Sequence, residues 1–259
     1  MATVHDLYAL RDHENLAAAE KAARLEYVTR SDHVICVSHF THRHLCDLVP
    51  GAQDRSSVIP LAVDPEFQPA SEEAVFEVRR KYGLPEQFLL FMGQGRPNKN
   101  LHRLLQAHAE ADASMPLVIA GKQKPDQLRV LRQLIAELGS SEQVRFLNYV
   151  PQRLLPALLT AAQGFCFPST FEGYGLPVRE ALACGTPVLT SRGVATEEAA
   201  AGHAILADPY DISSLASGIR ALMATEGRVS ESAQADIRSR TWRDVARETL
   251  ETYAHVMSR

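Results

Sequence analysis

The sequence predicts an α/β chain with one complete doubly wound domain on a parallel sheet, preceded by a partial domain of the same kind. Three observations predict it. From about residue 87 onward, short β-rich apolar runs alternate with longer amphipathic stretches, the pattern of repeated βα units around a parallel sheet. Before residue 87 only about two such units can be drawn, too little sheet to close a domain. Between the two parts, LAVDPEFQPASEE (61–73) carries Pro65, Pro69 and little apolar content, which marks a hinge or linker. At 259 residues, 46% of them hydrophobic, the chain holds more core than one minimal domain needs, so such a division is affordable in size.

The elements follow in order. A helix-like stretch over about 11–30 comes first, then the strand HVICVS (33–38), a helix after Thr41 and the strand SVIP (57–60). The second part offers the strands QFLLFMG (87–93), PLVIAG (116–121), VRFLN (144–148), GFCF (164–167), PVLT (187–190) and AIL (204–206), each a short run with β-prone or apolar side chains. In the helix after the first of these, Leu101, Leu104, Leu105 and His108 fall at i, i+3, i+4 and i+7, which turns one stripe to the sheet. The stretch ATEGRVSESA breaks the pattern before a terminal amphipathic helix with Trp242, Leu250 and Tyr253. The expected division is a partial N-terminal domain over 1–64, a complete doubly wound domain over 65–235 and a C-terminal helix over 236–259. Ligands of a doubly wound sheet bind at the carboxyl ends of its strands.

Composition narrows the function classes. A net charge of -4 gives no reason to expect a nucleic-acid partner, because phosphate binders carry a basic excess. Cys36, Cys46, Cys166 and Cys184 lie far apart, with no CxxC pair and no zinc spacing, and read as buried, reduced thiols of a cytosolic protein. The N-terminus, MATVHDLYALRDHENL, is polar within a few residues, and no apolar run approaches the ~20 residues that span a bilayer. The reading is a cytoplasmic chain, with peripheral attachment to a membrane left open.

The stretch PSTFEGYGLPVRE (168–180), continued by ALACGTPV (181–188), is the most informative. It leaves the strand GFCF, turns through Gly173 and Gly175, and starts a helix with Pro177 in the first turn, where a missing N–H costs nothing. A helix N-terminus after a glycine loop presents bare N–H groups and the positive end of the dipole, so it can hold a phosphate. Glu172 and Glu180 would repel that phosphate unless they face other groups, and sugar or ribose hydroxyls are the obvious ones. Taken alone, two glutamates at this spacing read as helix-capping surface residues.

The whole block resembles glycosyltransferase family 4, whose members carry two glutamates separated by seven residues in a run like E-G-F-G-L-P-x-x-E-A-M-A-x-G-x-P-V. The resemblance implies a GT-B type fold with one complete Rossmann-like C-terminal domain and a partial Rossmann-like N-terminal one. It implies that Glu180 contacts the ribose of a nucleotide donor, and that Glu172, with the amides of Gly173, Tyr174, Gly175 and Leu176, holds the donor sugar and its phosphates. The loop GQGRPNKN (93–100) is similar to the family's G-x-x-x-P-x-K-N turn, in which an arginine and the lysine neutralise the diphosphate leaving group. Lys99 matches by position. Arg96 is assigned the same role, although common members place their arginine where Gln94 stands here. Gly93 belongs to the same turn, and the backbone at 148–150, with Val150, is the candidate base pocket. Lys122 sits either near the phosphates or in solvent.

The string TVHDL (3–7) looks like an element of the family's N-terminal domain whose histidine faces the donor sugar, so His5 joins the candidate catalytic residues. Without that context, His5 and Asp6 read as a surface pair. His39, His42, His44, His102, His108 and His203 show no ligand spacing and read as structural or solvent-facing. In the family the last helix crosses back toward the first domain.

The resemblance, which extends to bacterial mannosyltransferases of surface polysaccharide, implies a retaining, metal-independent hexosyltransferase. Its donor would be GDP-mannose or a UDP-hexose, its acceptor a hydroxyl on a glycan or lipid-linked glycan. No cofactor and no metal are called for, since no D-x-D pair is offered and Lys99, Arg96 and the helix N-terminus carry the charge. Because Met1 falls within the expected N-terminal domain, the expectation is self-association or a second polypeptide completing that domain, with weak transfer by the chain alone. The alternative is a non-catalytic subunit of this fold that binds a partner; an epimerase on the same fold would need acid and base residues not identified here.

Overall fold

The computed structural model describes residues 1–11 and 25–258. The helix-like stretch expected over about 11–30 therefore lies largely outside the described residues. The smaller lobe is a parallel sheet in the order β1 (Ala2–Val4), β2 (Val34–Cys36), β3 (Ser56–Val58), with Ala2 opposite Val34 and Val34 opposite Ser56. β1 is a strand that the sequence reading did not draw. It is three residues long and only Val4 is buried, so it carries no apolar run to see. The helix expected after Thr41 starts earlier, as α1 (His39–Leu48), because Ser38 is its N-cap and accepts from the Thr41 amide.

The larger lobe begins in the expected linker. Residues 61–71 have no regular structure, but Val63 and Phe67 are buried in the core of this lobe, so the segment is anchored to it. After α2 (Glu72–Tyr82) come the strands β4 (Leu89–Met92), β5 (Leu117–Ala120), β6 (Val144–Asn148), β7 (Gly164–Phe167), β8 (Val188–Ser191) and β9 (Ile205–Ala207). All pair in parallel, in the order β6-β5-β4-β7-β8-β9. Chain order reverses between β4 and β7, and the crevice outside the strand ends at such a switch point is where ligands of doubly wound sheets sit.

The strands β4, β5, β7 and β8 are buried at every residue, as a sheet covered on both faces requires. Alternate side chains go to opposite layers: Leu90, Phe165 and Phe167 to one, Leu89, Phe91, Leu117 and Ile119 to the other. The predicted stripe of α3 (Leu101–Glu110) closes the second layer, with Leu101, Leu104, Leu105 and His108 all buried. His108 enters the core because its Nε2–H donates to the Met115 carbonyl at 2.9 Å, and burial keeps its pKa below the usual histidine value.

The end of the large lobe differs from the expected 235/236 division. A helix over Glu231–Ser239 runs straight through that point, with Ala233 and Ile237 buried. The turn at Arg240 and Thr241 is the break, since Thr241 and Asp244 form a capping box that starts the last helix, Trp242–Met257. That helix buries no residue fully, and Trp242, Leu250 and Tyr253 are exposed. Tyr253, Val256 and Met257 wall one cavity with Met1, Asp32 and His33, so the helix does lie back along the small lobe. Cys36, Cys166 and Cys184 are buried and Cys46 half-buried, all four as free thiols. Among the described residues no helix is long and apolar enough to cross a membrane.

Gly93 and Gly121 end β4 and β5, and a Cβ on Gly121 would stand 2.4 Å from the Gly93 carbonyl oxygen, with Gly121 at φ +132°. Gly121→Ala is expected to destabilise the protein by about 2–4 kcal/mol, the sum of overpacking and a left-handed backbone. Urea denaturation measures it, and a midpoint equal to wild type would show that the strand ends can part at no cost.

Candidate functional site

Two loops meet at the switch point: residues 93–100, following β4, and residues 168–175, following β7. Buried asparagines tie them. Asn98 Nδ2 donates to the Phe171 carbonyl at 3.0 Å, and the Thr170 amide donates to the Asn98 carbonyl at 2.8 Å. Asn100, in a left-handed conformation at φ 58°, donates to the carbonyls of Pro168 at 3.0 Å and Pro209 at 2.6 Å. The first loop is braced again from β5 by Gln123, whose Nε2 donates to the carbonyls of Gly93 and Gly121 while its Oε1 accepts from the Gly95 amide. The sequence reading did not single out Asn98, Asn100 or Gln123 as braces. Asn100 before a helix is a turn signal, but nothing in the sequence places Gln123 under a loop 28 residues away.

With the loops fixed, Lys99 Nζ lies 2.6 Å from Glu172 Oε1 and 4.8 Å from the centre of the Phe167 ring. The side chains of Lys99 and Glu172 are only 21% and 14% exposed. The pair therefore lies outside the regime of exposed ion pairs, where screening leaves little energy. Lys99 is thus a partly buried, paired lysine and not a solvated one at a helix start.

Gly175, at φ 113°, is the N-cap of the helix Leu176–Ala183, with Pro177 in the first turn. Gly173 has the tightest contact in the site. Its carbonyl accepts from Ser38 Oγ at 2.6 Å and Thr41 Oγ1 at 2.9 Å, and a Cβ there would fall 1.7 Å from the His5 carbonyl oxygen. A cavity of about 200 Å3 is lined by His5, Glu172, Gly173, Tyr174, Gly175 and Leu176, among others.

The structure thus brings together His5, Glu172, Lys99 and the Gly173 to Leu176 turn. Of the remaining predicted residues, Gly93 lies beside Lys99, whose Cγ would stand 3.8 Å from a Cβ there. Arg96 is exposed on the first loop, its side chain unpaired among the described residues. Glu180 lies further along the helix, where burial raises its pKa and the carboxylates of Glu66 and Asp64 add to the rise. The Val150 side chain is buried in the core, which leaves only its backbone to meet a ligand. Gly93 contributes its backbone, already held by Gln123. Within the cluster, the Tyr174 ring is buried against Val37 and Ala199, and burial raises its pKa.

The small lobe is locked on from a second side. Glu198, after β8, accepts from the His39 amide at 3.0 Å and the Phe40 amide at 3.3 Å, placing a carboxylate at the N-terminus of α1. Arg240 Nε donates to the Pro60 carbonyl at 2.7 Å while its guanidinium holds Glu248. Of the other histidines, His203 pairs with Asp236 at 2.9 Å, and His44 is buried among Phe40 and Phe171.

Two parallel-sheet lobes facing across a cleft, with glycine loops at the switch point of the larger, define the GT-B class of α/β fold. Solved structures with that arrangement agree. Sucrose-phosphate synthase from Thermosynechococcus elongatus superposes with a TM-score of 0.84 at 22% identity, covering 99% of this chain and 67% of that one. Anabaena Alr3699/HepE, in complex with UDP and glucose, gives 0.83 at 21% identity over 99% of this chain and 71% of its own. Residues 75–241 match the family described as glycosyl transferases group 1, and residues 1–67 that described as glycosyltransferase family 4. The chain belongs to the group 1 glycosyl transferases. The O-antigen chain mannosyltransferase B of Escherichia coli is 31% identical over an alignment of 247 residues that covers 89% of this chain and 64% of that protein.

Burial, aided by the carboxylates of Glu66 and Asp64, pushes the Glu180 carboxyl from its ordinary value of 4.5 up to about 7. Between those values the folded protein keeps a proton that the unfolded chain has released. Stability from this group is therefore present below about 4.5 and lost as pH rises through about 7. Glu180→Gln should flatten the decline across that window and exceed wild type in stability at pH 8 by about 1–3 kcal/mol. Urea melts from pH 4.5 to 8 read the effect, and parallel curves for the two proteins would contradict it.

Proposed function

We propose that this chain forms the donor side of a retaining, metal-independent glycosyltransferase. It moves a hexose, with mannose first, from GDP-mannose or a UDP-hexose to a hydroxyl of a glycan or lipid-linked glycan. The observation that carries the reading is the Lys99–Glu172 pair, 2.6 Å apart, beside the glycine turn that opens the helix Leu176–Ala183. The O-antigen mannosyltransferase named above supports mannose and a polysaccharide acceptor; the UDP and glucose of the Alr3699/HepE complex support a nucleotide-sugar donor.

In this reading the diphosphate sits at the start of the helix Leu176–Ala183, on the amides of the Gly173 to Leu176 turn, with Lys99 bridging it to Glu172. An ammonium has three donors, so Lys99 can keep Glu172 and still take a phosphate oxygen. Arg96 closes over the diphosphate from the exposed loop. Glu172 and His5 orient the sugar from opposite lobes, Glu180 accepts from the ribose hydroxyls, and the backbone at 148–150 receives the base. Positive charge gathered where the leaving group becomes negative lowers the barrier without a metal. No side chain is assigned as a nucleophile: the departing diphosphate takes the acceptor proton on the face where the new bond forms, which retains configuration. The chain then works in the cytoplasm, and at a membrane surface when its acceptor is lipid-linked.

A panel of nucleoside diphosphates tests this by thermal shift, since a ligand of the native state raises apparent stability. At least one member should stabilise the chain, equally with chelator and with magnesium. Glu180→Ala should weaken that nucleotide by about 1–3 kcal/mol. Lys99→Ala should remove most of the preference for diphosphate over monophosphate, about tenfold or more. A strict metal requirement, or a Glu180→Ala protein that binds like wild type, would overturn the respective assignment.

A further inference from the structure

Beside the donor cavity of about 200 Å3, a larger one of about 610 Å3 opens on the other side of the 170–172 segment, between α1 of the small lobe and the loops after β8 and β9. It belongs to neither the donor cavity nor any residue assigned above. Its floor is an aromatic cluster drawn from both lobes: Phe171 packs at 5.8 Å from Tyr8 and at 5.2 Å from both Phe40 and His44, ring centre to ring centre. Tyr210, 64% exposed, also lines the cavity and is held by the Arg103 guanidinium, 5.5 Å from its ring.

The polar groups are of opposite sign. Arg192 lines the cavity with its guanidinium exposed and joined to the protein, among the described residues, by one long bond to the Leu206 carbonyl at 3.4 Å. Asp208 accepts from the Tyr210 amide through Oδ1, which leaves Oδ2 without a protein donor among the described residues. Apart from the His44 imidazole packed in the aromatic floor, one cation and one anion line the cavity, a balance that disfavours a phosphate or a carboxylate, since neither charge sign dominates. They suit a neutral ligand with hydroxyls that both donate and accept, and the rings suit one with apolar C–H faces. The volume is that of a small-molecule site.

We propose that this cavity binds the acceptor as a neutral oligosaccharide, with Tyr210 and the Phe171 cluster against its sugar faces and Arg192 and Asp208 on its hydroxyls. The proposal rests on the donor reading given above and names the substrate class that meets it. The two cavities share a wall: Phe171 lines one and Glu172 the other, while Tyr8 lines one and His5, three residues earlier, the other. A glycan in the aromatic cavity extends its terminal hydroxyl across that wall toward the sugar held by Glu172 and His5.

Ligand-observed NMR with an α-mannotriose and with maltotriose tests the assignment, alongside titration with the nucleoside diphosphate that stabilises the chain best. Wild type should bind at least one trisaccharide. Tyr210→Ala and Arg192→Ala, both at exposed positions, should each weaken it by about fivefold or more and leave the nucleotide within about twofold. No trisaccharide binding to wild type, equal binding by both variants, or a parallel loss of nucleotide in both would overturn the proposal. Nucleotide binding without trisaccharide binding sinks the cavity's assignment alone. Trisaccharide binding that the variants lose, in a chain that takes no nucleoside diphosphate, sinks the donor reading and keeps the cavity as a glycan site.

Discussion

The bare α-carbon of Gly173 is the constraint on which the site depends. A side chain there would stand on the His5 carbonyl, and the peptide could not approach closely enough for Ser38 and Thr41 to donate to its oxygen. Ser38 serves twice, since the same hydroxyl caps α1 and reaches Gly173. The start of that helix, the glycine turn and the strand end carrying His5 are thereby one rigid junction. Glu198 reinforces it by placing a carboxylate from the large lobe on amides of the small one. A buried backbone carbonyl needs a donor, and here the donors come from the opposite lobe.

The site's two glutamates show how environment divides one chemical type into two functions. Glu172 has a lysine at 2.6 Å, so its charge is compensated inside a half-closed site. Glu180 has burial and two other carboxylates around it, and its ionised form is disfavoured to about pH 7. A group in the first state orients by charge. One in the second gains most from ligand donors, because each hydrogen bond to its ionised form recovers part of the cost of desolvation. The raised pKa thus fits the ribose assignment proposed for Glu180.

The loops are held by uncharged amides. Asn98, Asn100 and Gln123 bond to backbone carbonyls and amides across β4, β5 and β7, so the position of Lys99 is set before any ligand arrives. Such preorganisation is where stabilisation of developing charge comes from, because donors already in place need no reorganisation during the reaction. The braces stand at the ends of central strands that are buried on both faces and so cannot move apart.

The sequence by itself determined the parallel α/β fold, the strands from β4 to β9 to within two residues, the stripe of α3 and the family, because apolar periodicity and the 168–180 block are local signals. It also placed Glu172, Lys99 and His5 among the functional candidates. Only the tertiary structure decided that these three converge on one glycine turn, and that Glu180 is buried enough for its pKa to rise. It alone made Ala2–Val4 a strand, anchored Val63 and Phe67 in the larger core, and carried the helix past residue 235 to Ser239. The reason is the same in each case. A three-residue strand, a buried linker residue or a glutamine under a loop owes its place to partners tens of residues away, and no pattern within a short window records a contact of that kind.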